Sequence, residues 1–285
     1  MSTGRRLRIT HRTGYRYIAP VAASFNEVRM TPRDADGQML LSHQLQVSPR
    51  ASVQAYVDYW GALVQSFDVH EEHDVLEILA TSLVDVPHGP PPLAGVGWEV
   101  VTSRPVVERW GEFLAPTALV DDSREDPARA GIVEELRSLA TPALAVRGAV
   151  EATRARIRYD DNATGVTTTA AEAWAVGGGV CQDYSHALLS LLRPLGIPAR
   201  YVSGYLHDEE EAPGRTVTGE SHAWIEVWND GWEAYDPTND RSVGSAHVVV
   251  ARGRDYADVP PLKGIYAGGA SESLGVTVEI TQLAL

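Results

Sequence analysis

Residues 177–188 read GGGVCQDYSHAL, and this stretch decides how the rest of the 285-residue chain is interpreted. Three glycines precede the cysteine, and apolar residues follow it at helical spacing as far as Leu195. Gly196 and Pro198 then provide a stop signal. We therefore predict a helix that begins at or next to Cys181 and buries one apolar stripe. A helix N-terminus carries about half a positive charge, which favours the thiolate form of a cysteine placed there.

Cys181 is the only cysteine in the sequence. It has no partner for an internal disulfide, and it excludes a zinc site built from several thiolates. Two interpretations stay open on the local sequence: the thiol is either a nucleophile or a small buried residue at a tight helix start. A nucleophile needs a base within hydrogen-bond reach and a third group that orients the base.

A second segment, HAWIEVWNDGWEAYD from His222 to Asp236, predicts a β-hairpin. If the loop is the three residues Asn-Asp-Gly, with Gly231 in the left-handed region, Trp228 lies opposite Trp232. His222 and Asp236 are then diagonal neighbours on one face, about 7–8 Å apart at Cβ, which an imidazole and a carboxylate can bridge. A two-residue loop would put them on opposite faces. The loop sequence favours the first register.

The flanking regions predict an α+β protein. Residues 1–102 contain short alternating runs separated by turn residues, typical of an antiparallel sandwich or barrel. Helical periodicity follows, and strand patterns then return; the helices are expected at 125–140, 141–157 and 170–176, and the strands at 199–206 and 274–283. A stretch rich in proline and glycine at 87–97 is the predicted linker. We place a β-rich domain at 1–102 and a second domain at 103–285.

Composition limits the partners. The chain has 24 basic and 38 acidic residues, so its formal net charge is 24 − 38 = −14, which argues against nucleic acid as a main partner. No apolar run approaches the ~18 residues that a bilayer crossing requires, so no membrane is expected. The N-terminus lacks the apolar stretch of a signal peptide, and we expect a cytoplasmic protein. The sequence leaves the oligomeric state open.

Three separated segments resemble the core of the transglutaminase-like superfamily: residues 179–185 (GVCQDYS), 219–227 (GESHAWIEV) and 232–238 (WEAYDPT). That family uses a papain-like Cys–His–Asp triad in this chain order. The resemblance implies that Cys181 is the nucleophile, His222 the base and Asp236 the group that orients the base. It also implies a papain-like core in which the helix bearing the cysteine packs on an antiparallel sheet.

The rest of the chain resembles bacterial members of the same superfamily. Residues 20–33 and 58–61 resemble their β-rich N-terminal region, and residues 253–261 (GRDYADVPP) resemble their C-terminal signature. The resemblance therefore covers most of the chain and implies a sandwich-like domain in front of the catalytic one.

The function implied is acyl transfer through a thioester on Cys181, with a peptide or small amide as substrate and no cofactor or metal. Water as acceptor gives a peptidase or amidase, and an amine gives a transglutaminase or another amide-forming acyltransferase. Two alternatives come from other classes. One is a non-catalytic peptide-binding module on the same fold, and the other is a metal-dependent hydrolase built from some of the nine histidines.

Overall fold

The computed structural model describes residues 4–89, 95–209, 213–219, 221–268 and 270–285. The described N-terminal region consists of β-strands, as the alternating pattern predicts. They are β1 (Arg5–Val21), β2 (Ala23–Val28), β3 (Met39–Ser48), β4 (Val53–Val57), β5 (Leu63–Val69) and β6 (His73–Val86).

The middle of the described chain is helical. The α-helices are α1 (Trp98–Val101), α2 (Arg104–Trp110), α3 (Pro127–Arg137), α4 (Pro142–Arg156), α5 (Ala170–Val176) and α6 (Cys181–Leu192). Single turns of 3₁₀-helix lie at Gly111–Phe113, Ser123–Glu125, Arg193–Leu195 and Tyr256–Asp258. The three helices expected from the periodicity correspond to α3, α4 and α5. Thr169 caps α5 in a capping box with Glu172, so this helix begins where the sequence predicts.

Strands return in the second half. They are β7 (Arg158–Tyr159), β8 (Gly178–Gly179), β9 (Ala199–Leu206), β10 (Thr216–Gly219), β11 (His222–Trp228), β12 (Trp232–Asp236), β13 (Arg241–Ser242), β14 (His247–Gly253), β15 (Leu262–Ala267) and β16 (Ser271–Leu283). The strands predicted at 199–206 and 274–283 are both present, the second within the longer β16.

Two antiparallel sheets form the N-terminal part, in the orders β10-β16-β1-β6-β3 and β15-β2-β5-β4. One face of the first sheet packs against both the second sheet and the helical region. Ile78 on this face shares a hydrophobic cluster with Phe67 of the second sheet. Val84, farther along the same strand, belongs to the cluster that contains Leu188 of α6. The first sheet therefore joins the N-terminal sandwich to the helical core.

The last two strands lie in the N-terminal sheets. Strand β16 pairs with β1, with Ile280 opposite Ile9, and β15 pairs with β2. Hydrogen bonds therefore join strands from before and after the domain boundary proposed at 102/103. The boundary itself stays a prediction. The proline run at 90–92 lies outside the described residues.

A third sheet, ordered β13-β12-β11-β9-β14, carries the predicted hairpin. Trp228 lies opposite Trp232, so the predicted register is confirmed. The expectation that Gly231 adopts the left-handed conformation is wrong, because Asp230 has the positive φ of 62°. Aspartate tolerates this region because its short polar side chain can bond locally. The three-residue loop closes through the Asn229 N–H, which donates to the Gly231 carbonyl at 2.7 Å.

Helix α6 packs on this sheet against β9 and β11, and also contacts α4 and α5. Every residue from Gln182 to Leu192 is buried. The helix begins at Cys181, as predicted, and a 3₁₀ turn follows its last residue. Gly196, at φ 83°, then ends the helical segment in the left-handed conformation that glycine adopts without strain. The structure thus confirms an α+β fold with the cysteine-bearing helix on an antiparallel sheet.

Candidate active site

Cys181 is half-buried at the first position of α6. The preceding glycines are needed for space as well as for conformation. A Cβ atom at Gly179 would lie 2.4 Å from Oδ2 of Asp183, and Gly177 has a φ of 75°. The glycine run therefore lets the chain pass close to the first helical turn.

Asp183 is the cap of this helix start. Its Oδ2 accepts the Val180 N–H at 2.8 Å and the Thr164 hydroxyl at 2.6 Å. Burial raises the pKa of the Asp183 carboxyl, while these hydrogen bonds act in the opposite direction. The carboxylate thus binds the residue immediately before Cys181, and from the first helical turn it complements the helix dipole.

His222 and Asp236 meet across the hairpin. His222 Nε2 donates to Asp236 Oδ2 at 2.8 Å, so the two residues share a face as the predicted register requires. Burial of the His222 ring lowers its pKa, but the hydrogen bond with Asp236 and the interaction with Cys181 outweigh burial and raise the pKa to about 10. The imidazole uses Nε2 for Asp236, which leaves Nδ1 as the nitrogen available to the sulfur.

Asp236 is fully buried as a side chain and accepts from several donors. Oδ1 accepts the backbone N–H groups of Thr238 and Asn239, at 3.1 and 3.2 Å. Oδ2 accepts the Asn239 side-chain amide at 2.9 Å, besides His222. Burial raises the pKa of the Asp236 carboxyl, but its hydrogen bonds outweigh burial and hold the pKa well below its usual range. The group is therefore ionised at neutral pH.

A further histidine, His247, contacts the same carboxylate. Its Nε2 donates to Asp236 Oδ2 at 3.2 Å, and its side chain is 1% exposed. No sequence motif marks this residue. It precedes the C-terminal signature and belongs to no catalytic motif, and only the pairing of β14 with β9 brings it to the site.

His222, Asp236 and His247 are residue types that bind metal ions, and their ligand atoms lie within 4.8 Å of one another. The hydrogen bonds argue against a metal role. A histidine that binds a metal normally donates its other ring N–H to a neighbouring acceptor. The other nitrogen of His247, Nδ1, instead accepts the Gly244 N–H at 3.3 Å. This arrangement suits a ring that donates to a carboxylate through Nε2.

Trp224 supports both imidazoles. Its ring stacks on His222 with centroids 5.9 Å apart and meets His247 edge-on at 5.3 Å. Trp224 is fully buried, so its contact with the site is structural packing. The two histidines are thus held against a rigid aromatic surface.

Comparison with known proteins identifies two families along the chain. Residues 7–85 match the bacterial transglutaminase-like N-terminal region, and residues 130–237 match the transglutaminase-like superfamily. An uncharacterized Mycobacterium leprae protein is 40% identical over 280 residues, which cover 98% of this chain and 99% of that protein. The chain therefore belongs to the transglutaminase-like superfamily and carries the bacterial N-terminal region. Cys181, His222 and Asp236 all lie within the second match.

Two further similarities are more limited. A crystal structure of a candidate cysteine protease from Cytophaga hutchinsonii covers all of this chain and 92% of that protein, with a TM-score of 0.80 and 21% identity. This likeness shows the fold. A protein-glutamine gamma-glutamyltransferase of Pseudomonas aeruginosa is 40% identical over 65 residues, which are 21% of this chain and 10% of that protein.

Among the residues described, none of the helices is both long enough and apolar enough to cross a membrane.

Proposed function

We propose that the protein is a thiol acyl-transfer enzyme that cleaves an amide or peptide bond through a thioester on Cys181, as a peptidase or amidase. One observation carries the proposal. His222 is hydrogen-bonded to Asp236 at 2.8 Å, and Cys181 lies near enough to favour the charged form of the same imidazole. A nucleophile, a base and an orienting group in this order are the parts that covalent catalysis by a thiol requires.

In the first half-reaction, the Cys181 sulfur bonds to the carbonyl carbon of the substrate amide. His222 holds the proton that the thiol has lost and gives it to the leaving nitrogen as the carbon–nitrogen bond breaks. The products are a thioester on Cys181 and a free amine. Asp236 keeps its negative charge throughout, stabilises the imidazolium and keeps Nδ1 directed to the sulfur.

In the second half-reaction, water attacks the thioester carbon and gives a proton to His222. The carbon–sulfur bond then breaks, the sulfur recovers the proton, and a carboxylic acid leaves. The negative oxygen of each tetrahedral intermediate needs a fixed donor. We expect the Cys181 backbone N–H to supply one, since amides in the first helical turn have no acceptor within the helix.

Trapping the acyl intermediate tests the proposal. Peptide and amide libraries are offered to the Asp236→Asn variant, in which slower hydrolysis allows the thioester to accumulate, and the mass of the intact protein is measured. We expect an adduct that maps to Cys181 and is removed by hydroxylamine. Cys181→Ala stays unmodified in the same mixture. Turnover that continues in Cys181→Ala contradicts the proposal, and turnover that a chelator abolishes favours the metal-dependent hydrolase.

Transfer to an amine is the second candidate function, and the 65-residue similarity to the glutamyltransferase favours it. The thioester is the same, and only the acceptor differs. A labelled primary amine added to the reaction distinguishes the two. Incorporation of the label into the acyl product identifies a transferase, whereas release of the free acid alone identifies a hydrolase.

A peptide-binding module on this fold makes a different prediction for the thiol. Cys181 in an enzyme reacts with iodoacetamide at pH 6 faster than free cysteine, because the imidazolium stabilises the thiolate. The same reaction is slower in His222→Ala. A thiol that reacts like free cysteine in both proteins favours the binding module.

A further inference from the structure

We propose that His247 is a positioning residue of this site, which holds the Asp236 carboxylate in the orientation that His222 requires. The inference rests on the proposed function, since it adds a fourth member to the same chain of hydrogen bonds. His247 opens β14 on the far edge of the sheet from β13, and its ring reaches back to Asp236 at the end of β12.

Both histidines use one carboxylate oxygen. Oδ2 of Asp236 accepts Nε2–H of His222 at 2.8 Å and Nε2–H of His247 at 3.2 Å. The side chains of Asp236 and His247 are 0% and 1% exposed, so water does not replace the second bond. Oδ2 also accepts the Asn239 side-chain amide at 2.9 Å, so loss of the His247 donor would remove one of three hydrogen bonds that fix this buried charged oxygen.

The backbone fixes which nitrogen of His247 carries the proton. Nδ1 accepts the Gly244 N–H at 3.3 Å, so the neutral ring has its hydrogen on Nε2. The His247 N–H also donates to the Gly244 carbonyl at 2.9 Å, which closes a turn around the ring. The imidazole can therefore act toward Asp236 only as a donor. A neutral donor orients the carboxylate and leaves its charge for His222.

Burial and two neighbouring positive charges keep His247 neutral. Asp236, His222 and Arg241 face it from β12, β11 and β13. Burial lowers the pKa of His247, and the positive charges of His222 and Arg241 act in the same direction, against the hydrogen bond to Asp236. His222 itself faces Asp236 and Cys181, which favour its charged form. The two rings on one carboxylate thus have different protonation states.

Two variants of His247 separate positioning from packing. His247→Leu removes the donor, whereas His247→Gln retains an amide N–H near the position of Nε2. His73→Leu is the matched control, because His73 is a buried histidine with two hydrogen bonds in the N-terminal sandwich. Two readouts need no substrate: NMR titration of the labelled His222 ring, and the pH dependence of Cys181 alkylation.

We expect His247→Leu to lower the pH at which His222 loses its proton by about half a unit, because a carboxylate that is no longer held in place stabilises the imidazolium less. The upper inflection of Cys181 alkylation moves with it. His247→Gln restores the wild-type titration, and His73→Leu leaves both readouts unchanged. In the wild-type protein, ¹⁵N shifts show the Nε2–H tautomer of His247 across neutral pH.

Two results overturn the inference: a His222 titration that is unshifted or moves to higher pH in a folded His247→Leu, or an Nδ1–H or doubly protonated His247 at neutral pH. The tautomer measurement uses the wild-type chain, so it decides the question even if His247→Leu does not fold. A different result contradicts the proposed function. That result is a Cys181 alkylation rate that is the same in the wild type and in His222→Ala, whatever the state of His247.

Discussion

Helix α6 and strand β4 are opposite extremes of burial in this protein. Every residue of α6 after Cys181 is buried, whereas all five residues of β4 are exposed. The helix lies against β9 and β11 and contacts α4 and α5, while β4 is the outer strand of its sheet. The contrast shows that Cys181 is carried by a firmly packed element. Its position relative to His222 is thus set by core packing, which is how precise sites are held.

The largest expected effect is on chemistry at the start of α6. Cys181→Ala removes the proposed nucleophile, and we expect turnover to fall by about 10⁴-fold or more with the fold intact. Ser190→Ala on the same helix is the control, since its hydroxyl donates to the Ala187 carbonyl. Turnover and thermal unfolding of both variants are compared. Equal turnover in the two variants would show that Cys181 is not the nucleophile.

A smaller loss is expected from the group that orients the base. Asp236→Asn removes the charge that holds the His222 imidazolium, and we expect turnover to fall by about 10²- to 10³-fold. The pH at which His222 loses its proton should fall as well. Asp240→Asn, at an exposed carboxylate 3.7 Å from Arg154, is the matched control and leaves both quantities unchanged. An unaltered His222 titration in Asp236→Asn would contradict the assigned role.

Packing around α6 predicts a stability effect without any chemistry. Leu188 is 0% exposed, and Leu188→Ala should lower the free energy of unfolding by about 3 kcal/mol, from lost burial and a residual cavity. Urea unfolding followed by circular dichroism measures this loss. A change below about 1 kcal/mol would mean that the helix is held less tightly than its burial implies.

A second difference between regions of the protein lies in how buried histidines make its stability depend on pH. Burial lowers the pKa of His11, on β1, to about 4 from an unfolded value of 6.5. The folded state then resists a proton that the unfolded chain accepts, so stability falls as the pH drops below 6.5. At pH 5, which lies 1.5 pH units below the unfolded pKa of 6.5, this residue lowers the free energy of unfolding by about 2 kcal/mol. Urea unfolding between pH 7 and 5 should show a shallower decline in His11→Gln, and parallel curves would exclude this origin.

The stability contribution of His222 depends on pH in the opposite direction. Its raised pKa stabilises the fold fully below 6.5, and this contribution disappears as the pH rises toward about 10. The two histidines thus lower stability at opposite ends of the pH range, His11 in acid and His222 in base. The difference arises because His222 has a buried carboxylate partner, whereas His11 bonds the neutral Tyr205 hydroxyl.

The smallest effect is expected at β4. Val57 is 66% exposed, and Val57→Ala should change the free energy of unfolding by less than about 0.5 kcal/mol. The same urea assay used for Leu188→Ala measures it. A loss as large as that of Leu188→Ala would indicate that β4 is covered by a partner in solution.

The hairpin shows how far local reasoning extends. Its strands and the pairing of Trp228 with Trp232 follow from alternation and from loop length, both of which lie in a few consecutive residues. The choice between Asp230 and Gly231 for the left-handed position did not follow, because aspartate and glycine both tolerate it. The contact between His222 and Asp236 was predicted correctly even though the left-handed residue was not, since the contact depends on the register alone.

Sequence by itself determined the helix start at Cys181, the hairpin and the triad residues to test, because glycine runs, caps and periodicity act over short distances. Tertiary structure alone decided that His247 meets Asp236 and that β15 and β16 join the N-terminal sheets. Such contacts link segments far apart in the chain. Their geometry depends on how whole sheets and helices pack, which no local pattern of residues specifies.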